Sequence, residues 1–198
     1  VNSLTKKFYE KTLRPDRQHS YKVIVDYIIK NIKADLYSVI DYGCGAGWFL
    51  YYFKKAGIND LIGIESNREI ISVLDTSIKD NIKFLNLTKN INLSRQFDLA
   101  MNIEVAEHID EKHANLIIDN ITRHANLLIF SAATPGQGGY GHVNEQPFEY
   151  WEKKLNFVGF FCNKNQTKKF RNYLNGEKVN SWYRKNISIF ERNDLWAM

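Results

Sequence analysis

Five short runs rich in β-branched and aromatic residues punctuate the chain at Ser38 to Tyr42, Leu61 to Glu65, Ile82 to Leu87, Phe97 to Ile103 and Asn126 to Ala132. Between them lie stretches whose apolar residues recur at helical spacing, Trp48 to Ala56, Arg68 to Ser77 and Glu111 to His124. Strand, helix and strand in regular succession leave few architectures. Consecutive strands must run parallel, the connecting helices must cover both faces, and the sheet is buried on both sides. A helix from Pro147 to Asn156 and two further strands, roughly Phe160 to Lys164 and Ile187 to Arg192, extend the sheet. Before the first strand, Val23, Ile24, Tyr27 and Ile28 mark an amphipathic helix that packs on the domain.

Such a sheet binds its ligand at the carboxyl ends of the strands, near the switch in strand order. The rule points to the loops at 43–47, 65–68, 86–89, 102–110 and 133–146 before any motif is considered. The 198 residues, 44% apolar, have the length and balance of one globular domain, and no repeat or low-complexity linker divides them. We expect a helical cap over 1–37, a cofactor-binding core over 38–164, and an acceptor-side cap with the final strand over 165–198. Two cysteines, Cys44 and Cys162, make neither a disulfide framework nor a zinc cage, so a reducing compartment is expected. No stretch approaches the roughly 18 apolar residues of a membrane span, and no apolar signal core opens the chain. The expectation is a cytoplasmic protein without membrane insertion; nothing in the sequence sets its oligomeric state.

The loop after the first strand reads Asp41-Tyr42-Gly43-Cys44-Gly45-Ala46-Gly47-Trp48. Its glycines let the backbone turn tightly and approach a ligand closely. A dinucleotide fingerprint has the spacing G-x-G-x-x-G, whereas this loop is G-x-G-x-G with a carboxylate two residues before the first glycine. That acid would repel a pyrophosphate; it suits a ligand carrying an ammonium and a sulfonium. Twenty-two residues after Gly43, at the end of the second strand, Glu65 is placed to accept hydrogen bonds from both hydroxyls of a ribose.

With these residues in view, the sequence resembles the class I S-adenosylmethionine-dependent methyltransferases. Val39-Ile-Asp-Tyr-Gly-Cys-Gly-Ala-Gly47 is similar to their first motif, Ile62-Gly-Ile-Glu65 to their second-strand acid, and the run from Phe97 to His108 to their fourth-strand motif. The resemblance implies an α/β fold with a Rossmann-like seven-stranded, mainly parallel sheet, helices on both faces, and a last strand that is antiparallel and inserted beside strand six. It implies S-adenosyl-L-methionine as cofactor and S-adenosyl-L-homocysteine as product. Asp41, Gly43, Gly45 and Gly47 would line the methionine part, Glu65 the ribose, and Asn86 and Leu87 the adenine, with Cys44, Ser66 and Ile103 in the same cofactor site. The family usually has Asp where this chain has Asn86, whose amide oxygen can accept the same hydrogen bond from the adenine amino group. The stretch from Pro135 to Trp151, which contains Gly141-His-Val-Asn-Glu-Gln146, resembles a branch found among glycan, natural-product and phage gene sets.

Methyl transfer from a sulfonium needs donor and nucleophile held in line, and a base if the nucleophile is a hydroxyl. His108, directly after the fourth strand, and His142, in the loop after the fifth, both fall on the ligand edge, and either can serve as that base. Tyr140, Asn144, Glu145, Trp182 and Tyr183 are candidates for the acceptor side. The expectation is a metal-free hydroxyl methylation. Its alternative groups Glu104, Glu107 and His108 at i, i+3 and i+4 with His142, similar to the metal cluster of small-RNA 3′-end 2′-O-methyltransferases, though this chain lacks a second histidine beside His142. A third possibility is an accessory protein that binds the cofactor and transfers nothing.

Charge suggests the acceptor. The chain carries a net +5, yet residues 1–22 alone hold +4 and residues 165–186 hold +5, which leaves −4 for the rest. If both segments meet above one pocket they attract anions. We therefore expect a small-molecule or glycan acceptor of anionic character, with nucleic acid less favoured, and Lys168, Lys169 and Arg171 among the cations at the mouth.

Overall fold

The computed structural model describes residues 10–193. Seven strands form one sheet in the order β3-β2-β1-β4-β5-β7-β6, with β1 at Ser38–Tyr42, β2 at Asp60–Glu65, β3 at Ile82–Phe84, β4 at Leu99–Ile103, β5 at Leu127–Ser131, β6 at Phe160–Cys162 and β7 at Ser188–Arg192. The first five pair in parallel, and β7 lies antiparallel between β5 and β6. Helices α1 (Pro15–Tyr27), α2 (Trp48–Lys55), α3 (Ala114–Arg123), α4 (Phe148–Phe157), α5 (Lys164–Gly176) and α6 (Ser181–Asn186) surround it.

The strand alternation sends neighbouring side chains to opposite faces, and each face has its own core. Val39, Leu99, Met101, Ile129 and Ile189 face one side, where Ile24 and Ile28, Leu50 and Phe53, and Phe170 pack on them. Ile40, Tyr42, Ala100, Leu128 and Phe190 face the other, against Ile117 and Ile121 of α3 and Trp151 and Leu155 of α4. Tyr27 stacks on Phe170 at 4.5 Å between ring centroids, so α1 and α5 are joined on one face. Ser20 and Asn180 add a hydrogen bond of 2.8 Å, and His19 reaches the Glu177 carbonyl at 2.8 Å.

Three expectations change. The helix expected over Arg68–Ser77 is instead two 3₁₀ turns, Arg68–Ser72 and Thr76–Asn81. The side chain of Asp75 accepts from the Ser77 amide at 2.8 Å and starts the second turn, interrupting a segment whose β-branched residues already favour helix weakly. The third strand stops at Phe84, before Asn86 and Leu87. Within the cap expected over 165–198, the stretch before the last strand is mostly α5 and α6, helices that the sequence reading did not assign. No helix among the described residues is long and apolar enough to cross a membrane.

Candidate active site

A cavity of about 1240 Å³ opens at the carboxyl ends of β1, β2 and β4, where the topology places it. Its floor is the glycine loop. Gly43 has φ +77°, and a Cβ there would fall 2.4 Å from Val105 Cγ1, so only glycine lets the loop pass beneath Val105. The Gly43 and Cys44 amides donate to the Ile64 carbonyl at 2.8 and 3.1 Å, which ties the loop to β2. Glu65 completes the tie: Oε2 accepts from the Gly45 amide at 3.0 Å and Oε1 from the Asn67 amide at 2.8 Å.

Asp41 lies beside that loop with only 2% of its surface exposed, and its Oδ2 has no hydrogen-bond partner. Burial, and then the nearby Glu65 carboxylate, push its pKa up to about 7. Burial likewise pushes the Cys44 thiol well up, which makes it an inert packing group against Gly63. Ser66, Asn86, Leu87 and Ile103 also line the cavity. Asn86, however, accepts from both the Thr88 amide and the Thr88 hydroxyl at 2.8 Å through its side-chain oxygen. That oxygen is taken by a local turn, so Asn86 does not offer the free acceptor that the sequence suggested.

The opposite wall holds the histidines. Val143 and Asn144 donate their amides to the Glu107 carbonyl at 2.9 and 3.0 Å, bringing the loop after β5 against the turn after β4. His108 and His142 meet edge to face at 4.8 Å between ring centroids. His142 Nδ1 is 2.7 Å from Glu145 Oε1, and its Nε2 is 4.0 Å from Glu107 Oε1. His108 Nδ1 lies 3.2 Å from the Gly141 carbonyl; desolvation lowers its pKa, the carbonyl opposes the shift and His142 adds to it. Glu107 is wholly buried and neither carboxylate oxygen has a hydrogen-bond partner. Burial and then Glu104 raise its pKa to about 8.

Glu107, His108 and His142 each offer one metal-ligand atom, all within 4.8 Å of one another. Glu104 stands apart from that cluster, contrary to the four-residue alternative. It sits at φ +55°, outside any helical turn, so the i, i+3, i+4 relation does not apply. Its carboxylate accepts from Gln137 at 2.9 Å and from Asn186 at 3.3 Å, and Asn186 also donates to Gln137 at 2.7 Å. This clasp between the end of β4, the glycine-rich loop and the end of α6 was not legible in the sequence, since its members are 33 to 82 residues apart.

The acceptor-side candidates divide. Tyr140 and Trp182 line the cavity, and the Arg17 guanidinium lies 4.3 Å above the Trp182 ring. Tyr183 lines it too, but is 5% exposed and packs on Tyr21 and Phe49, so it belongs to the core as much as to the wall. Asn144 and Glu145 do not line it: Asn144 is buried, and Glu145 is turned to His142 and the loop amides. Of the basic residues, Lys11, Arg17, Lys112 and Lys185 reach the cavity, while Lys168, Lys169 and Arg171 do not. Arg171 is spent on the Ile187 carbonyl at 2.7 Å and the Ser188 hydroxyl at 2.8 Å, pinning α5 to β7. Lys6 and Lys7 of the first basic segment lie outside the described residues.

Comparison with known proteins bears on this geometry. Residues 9–185 match the family described as Methyltransferase domain. The chain belongs to that family. It is thus a methyltransferase domain of the class I, S-adenosylmethionine-dependent superfamily. A curated relative, the ribosomal protein L11 methyltransferase of Thermotoga neapolitana, is 25% identical over 121 residues, and this chain spans 44% of that relative's length. Among solved structures, the sugar N-methyltransferase KedS8 of a Streptoalloteichus species superposes with a TM-score of 0.69 at 12% identity, covering 95% of this chain and 92% of that one. The plantazolicin methyltransferase BpumL, in complex with a desmethyl-plantazolicin analogue and S-adenosylhomocysteine, gives 0.67 at 13%, covering 96% and 90%. The magnesium protoporphyrin IX methyltransferase of Synechocystis, with bound S-adenosylhomocysteine, gives 0.65 at 16%, covering 98% and 89%. At these identities the superpositions establish the shared fold.

Proposed function

We propose that this protein transfers a methyl group from S-adenosylmethionine to a hydroxyl oxygen of a small anionic or sugar-containing acceptor, with His142 as the base. The observation that carries this reading is the continuity of one cavity from the paired acids of the glycine loop to the paired histidines of the opposite wall. The residues present fit the cofactor. Asp41 and Glu65 are buried like charges, and the unpartnered Asp41 Oδ2 is an acceptor that a cationic group would satisfy. Glu65, after holding the loop, still has lone pairs for hydroxyl donors. Gly43, Gly45 and Cys44 would hold the methionine part, Glu65 and Ser66 the ribose, and Leu87 and Ile103 the base; Gly47, expected with them from the sequence, is not in the cavity lining and instead passes against Ile78.

When bound, S-adenosylmethionine supplies a methyl group already activated by the sulfonium. The chain's own work is then to fix the acceptor in line, exclude water and take one proton. His142 is suited to the last task because its Nδ1 faces a carboxylate acceptor, which leaves Nε2 available for a hydroxyl proton. Lys11, Arg17 and Lys185 line the cavity and favour an acceptor carrying negative charge.

Calorimetry with S-adenosylhomocysteine tests the first half: binding is expected, and Glu65→Ala should weaken it by about 1.5 to 3 kcal/mol through the loss of charge-assisted hydrogen bonds. An absence of binding at millimolar ligand by folded protein defeats the proposal. For the second half, cell extract incubated with methyl-labelled donor should yield one methylated small molecule with wild-type protein and at least 100-fold less with His142→Gln. Donor binding without any transfer would instead indicate an accessory protein, and transfer abolished by chelators and restored by a divalent cation would indicate the metal-assisted alternative.

A further inference from the structure

We propose that Glu145 is a positioning residue that joins the closed form of the 135–141 loop to the readiness of His142. This rests on the reading of His142 as the base, and it concerns how that base is prepared.

One carboxylate gathers three donors. Glu145 Oε2 accepts from the Gly136 amide at 2.9 Å, and Oε1 accepts both from the Gly138 amide at 2.8 Å and from His142 Nδ1 at 2.7 Å. An ionised carboxylate only accepts, so the hydrogen of a neutral His142 ring sits on Nδ1 and the lone pair on Nε2. Isolated imidazole has no neighbour that fixes this choice, whereas here the chain fixes it. His142 Nε2 is the atom that faces Glu107, at 4.0 Å, in the cavity wall.

The same oxygen that orients the ring also holds the loop. Gly136 and Gly138 have φ of +83° and +66°, conformations in which a glycine amide can turn back towards a carboxylate three or more residues beyond the loop tip. Gly139 passes so close over the imidazole that a Cβ would fall 2.3 Å from Nε2, which means the loop backbone itself is the roof of the ring. Below, the Val143 and Asn144 amides anchor the loop's far end to the Glu107 carbonyl, and the Gln137 side chain is held by Glu104 and Asn186, so Glu145 is what ties the loop backbone at Gly136 and Gly138. Opening of residues 136–138 would release two of the three donors of Glu145 and uncover the ring. The loop conformation that Glu145 holds is therefore also the one in which the hydrogen of His142 is kept on Nδ1.

The test uses the 198-residue chain labelled with ¹⁵N-histidine at pH 8, free and with S-adenosylhomocysteine, and needs no acceptor. In wild-type protein the His142 resonances should report hydrogen on Nδ1 and none on Nε2, with His142→Gln used for assignment. In Glu145→Ala the population should move to the Nε2-protonated form, and the amides of Gly136 and Gly138 should exchange with solvent at least tenfold faster while those of β1, β4 and β5 keep their protection. Persistence of the Nδ1-protonated form in Glu145→Ala, or exchange at Gly136 and Gly138 unchanged, overturns the proposal. If Glu145→Ala does not fold, Glu145→Gln takes its place, since its single carboxamide oxygen cannot serve all three donors; the same two shifts are expected at smaller size, and their joint absence overturns the proposal. Should the tautomer and exchange behave as expected while His142→Gln keeps full methyl transfer, it is the role of His142 as base that fails.

Discussion

Asp41 is a carboxyl group at the end of β1 that water barely reaches, and its pKa of about 7 gives the site a pH dependence of definite sign. An unfolded aspartate titrates near 3.9, so between about pH 4 and 7 the folded chain binds more protons than the unfolded one, and stability falls as pH rises through that window. Asp41→Asn removes this loss: above pH 7 the ligand-free variant should be more stable than wild type by on the order of 3 kcal/mol in denaturant titrations. Donor binding runs the other way. A cationic ligand prefers ionised Asp41, so wild-type affinity for S-adenosylmethionine should rise by up to about tenfold from pH 6 to pH 7, beyond whatever slope Asp41→Asn shows. Equal slopes in the two proteins would mean that Asp41 does not face the cation. At this scale Asp41 and Glu65 were readable as to place because each stands at the carboxyl end of its strand. Asn86 was readable as to place but not as to chemistry, because what Thr88 does with its oxygen depends on a turn beyond the third strand. Gln137 and Asn186 left no signal at all, since amides are common in loops and only the fold brings these two to Glu104.

Strand β2 and helix α2 show how packing at the level of elements supports the loop. Gly63 lies in β2 where a Cβ would fall 2.6 Å from Cys44 Sγ and 2.7 Å from the Ile82 and Leu50 Cδ1 atoms. The position is therefore a contact point of β2, β3, α2 and the glycine loop together. Gly63→Ala should cost about 1 to 3 kcal/mol in stability by overpacking, and because Cys44 must shift it should also weaken S-adenosylhomocysteine binding. Gly57→Ala makes a useful control, as no atom lies within 4 Å of its Cβ and only its φ of +95° is strained; it should lower stability and leave binding alone. A Gly63→Ala protein with wild-type affinity would separate the loop from the packing beneath it. Element type was legible wherever the apolar period ran unbroken, as in α3 or β4. It failed over Arg68–Ser77, where the pattern is helical but Asp75 offers the backbone a competing side-chain acceptor.

The whole molecule answers the question that the charge distribution raised. The two basic segments do adjoin, joined by the His19, Ser20 and Asn180 hydrogen bonds and by the Tyr27 and Phe170 rings. Charge counted along the chain could not say which side chains turn inward, because that depends on how α5 is rotated about its axis; Phe170 and Leu174 face the core, and Lys168 and Lys169 face solvent away from the cavity. Among the described residues, Lys11, Arg17, Lys112 and Lys185 line the cavity and are the cations that an anionic acceptor would meet. Arg17 has a second effect, since its position over Trp182 holds an aromatic surface next to a charge. A pairing of this kind fits a sugar phosphate, whose ring can lie on the indole while its phosphate meets the guanidinium. Replacing Arg17 and Lys185 by Gln should weaken binding of a nucleoside diphosphate sugar roughly tenfold at low salt and less as ionic strength approaches 0.15 M. Replacing Lys168 and Lys169, which are exposed and do not line the cavity, should change it by less than about twofold near 0.15 M ionic strength. The reverse order of effects would place the acceptor over α5 and outside the cavity, and binding that ignores salt in every variant would mean that the acceptor is not recognised by its charge.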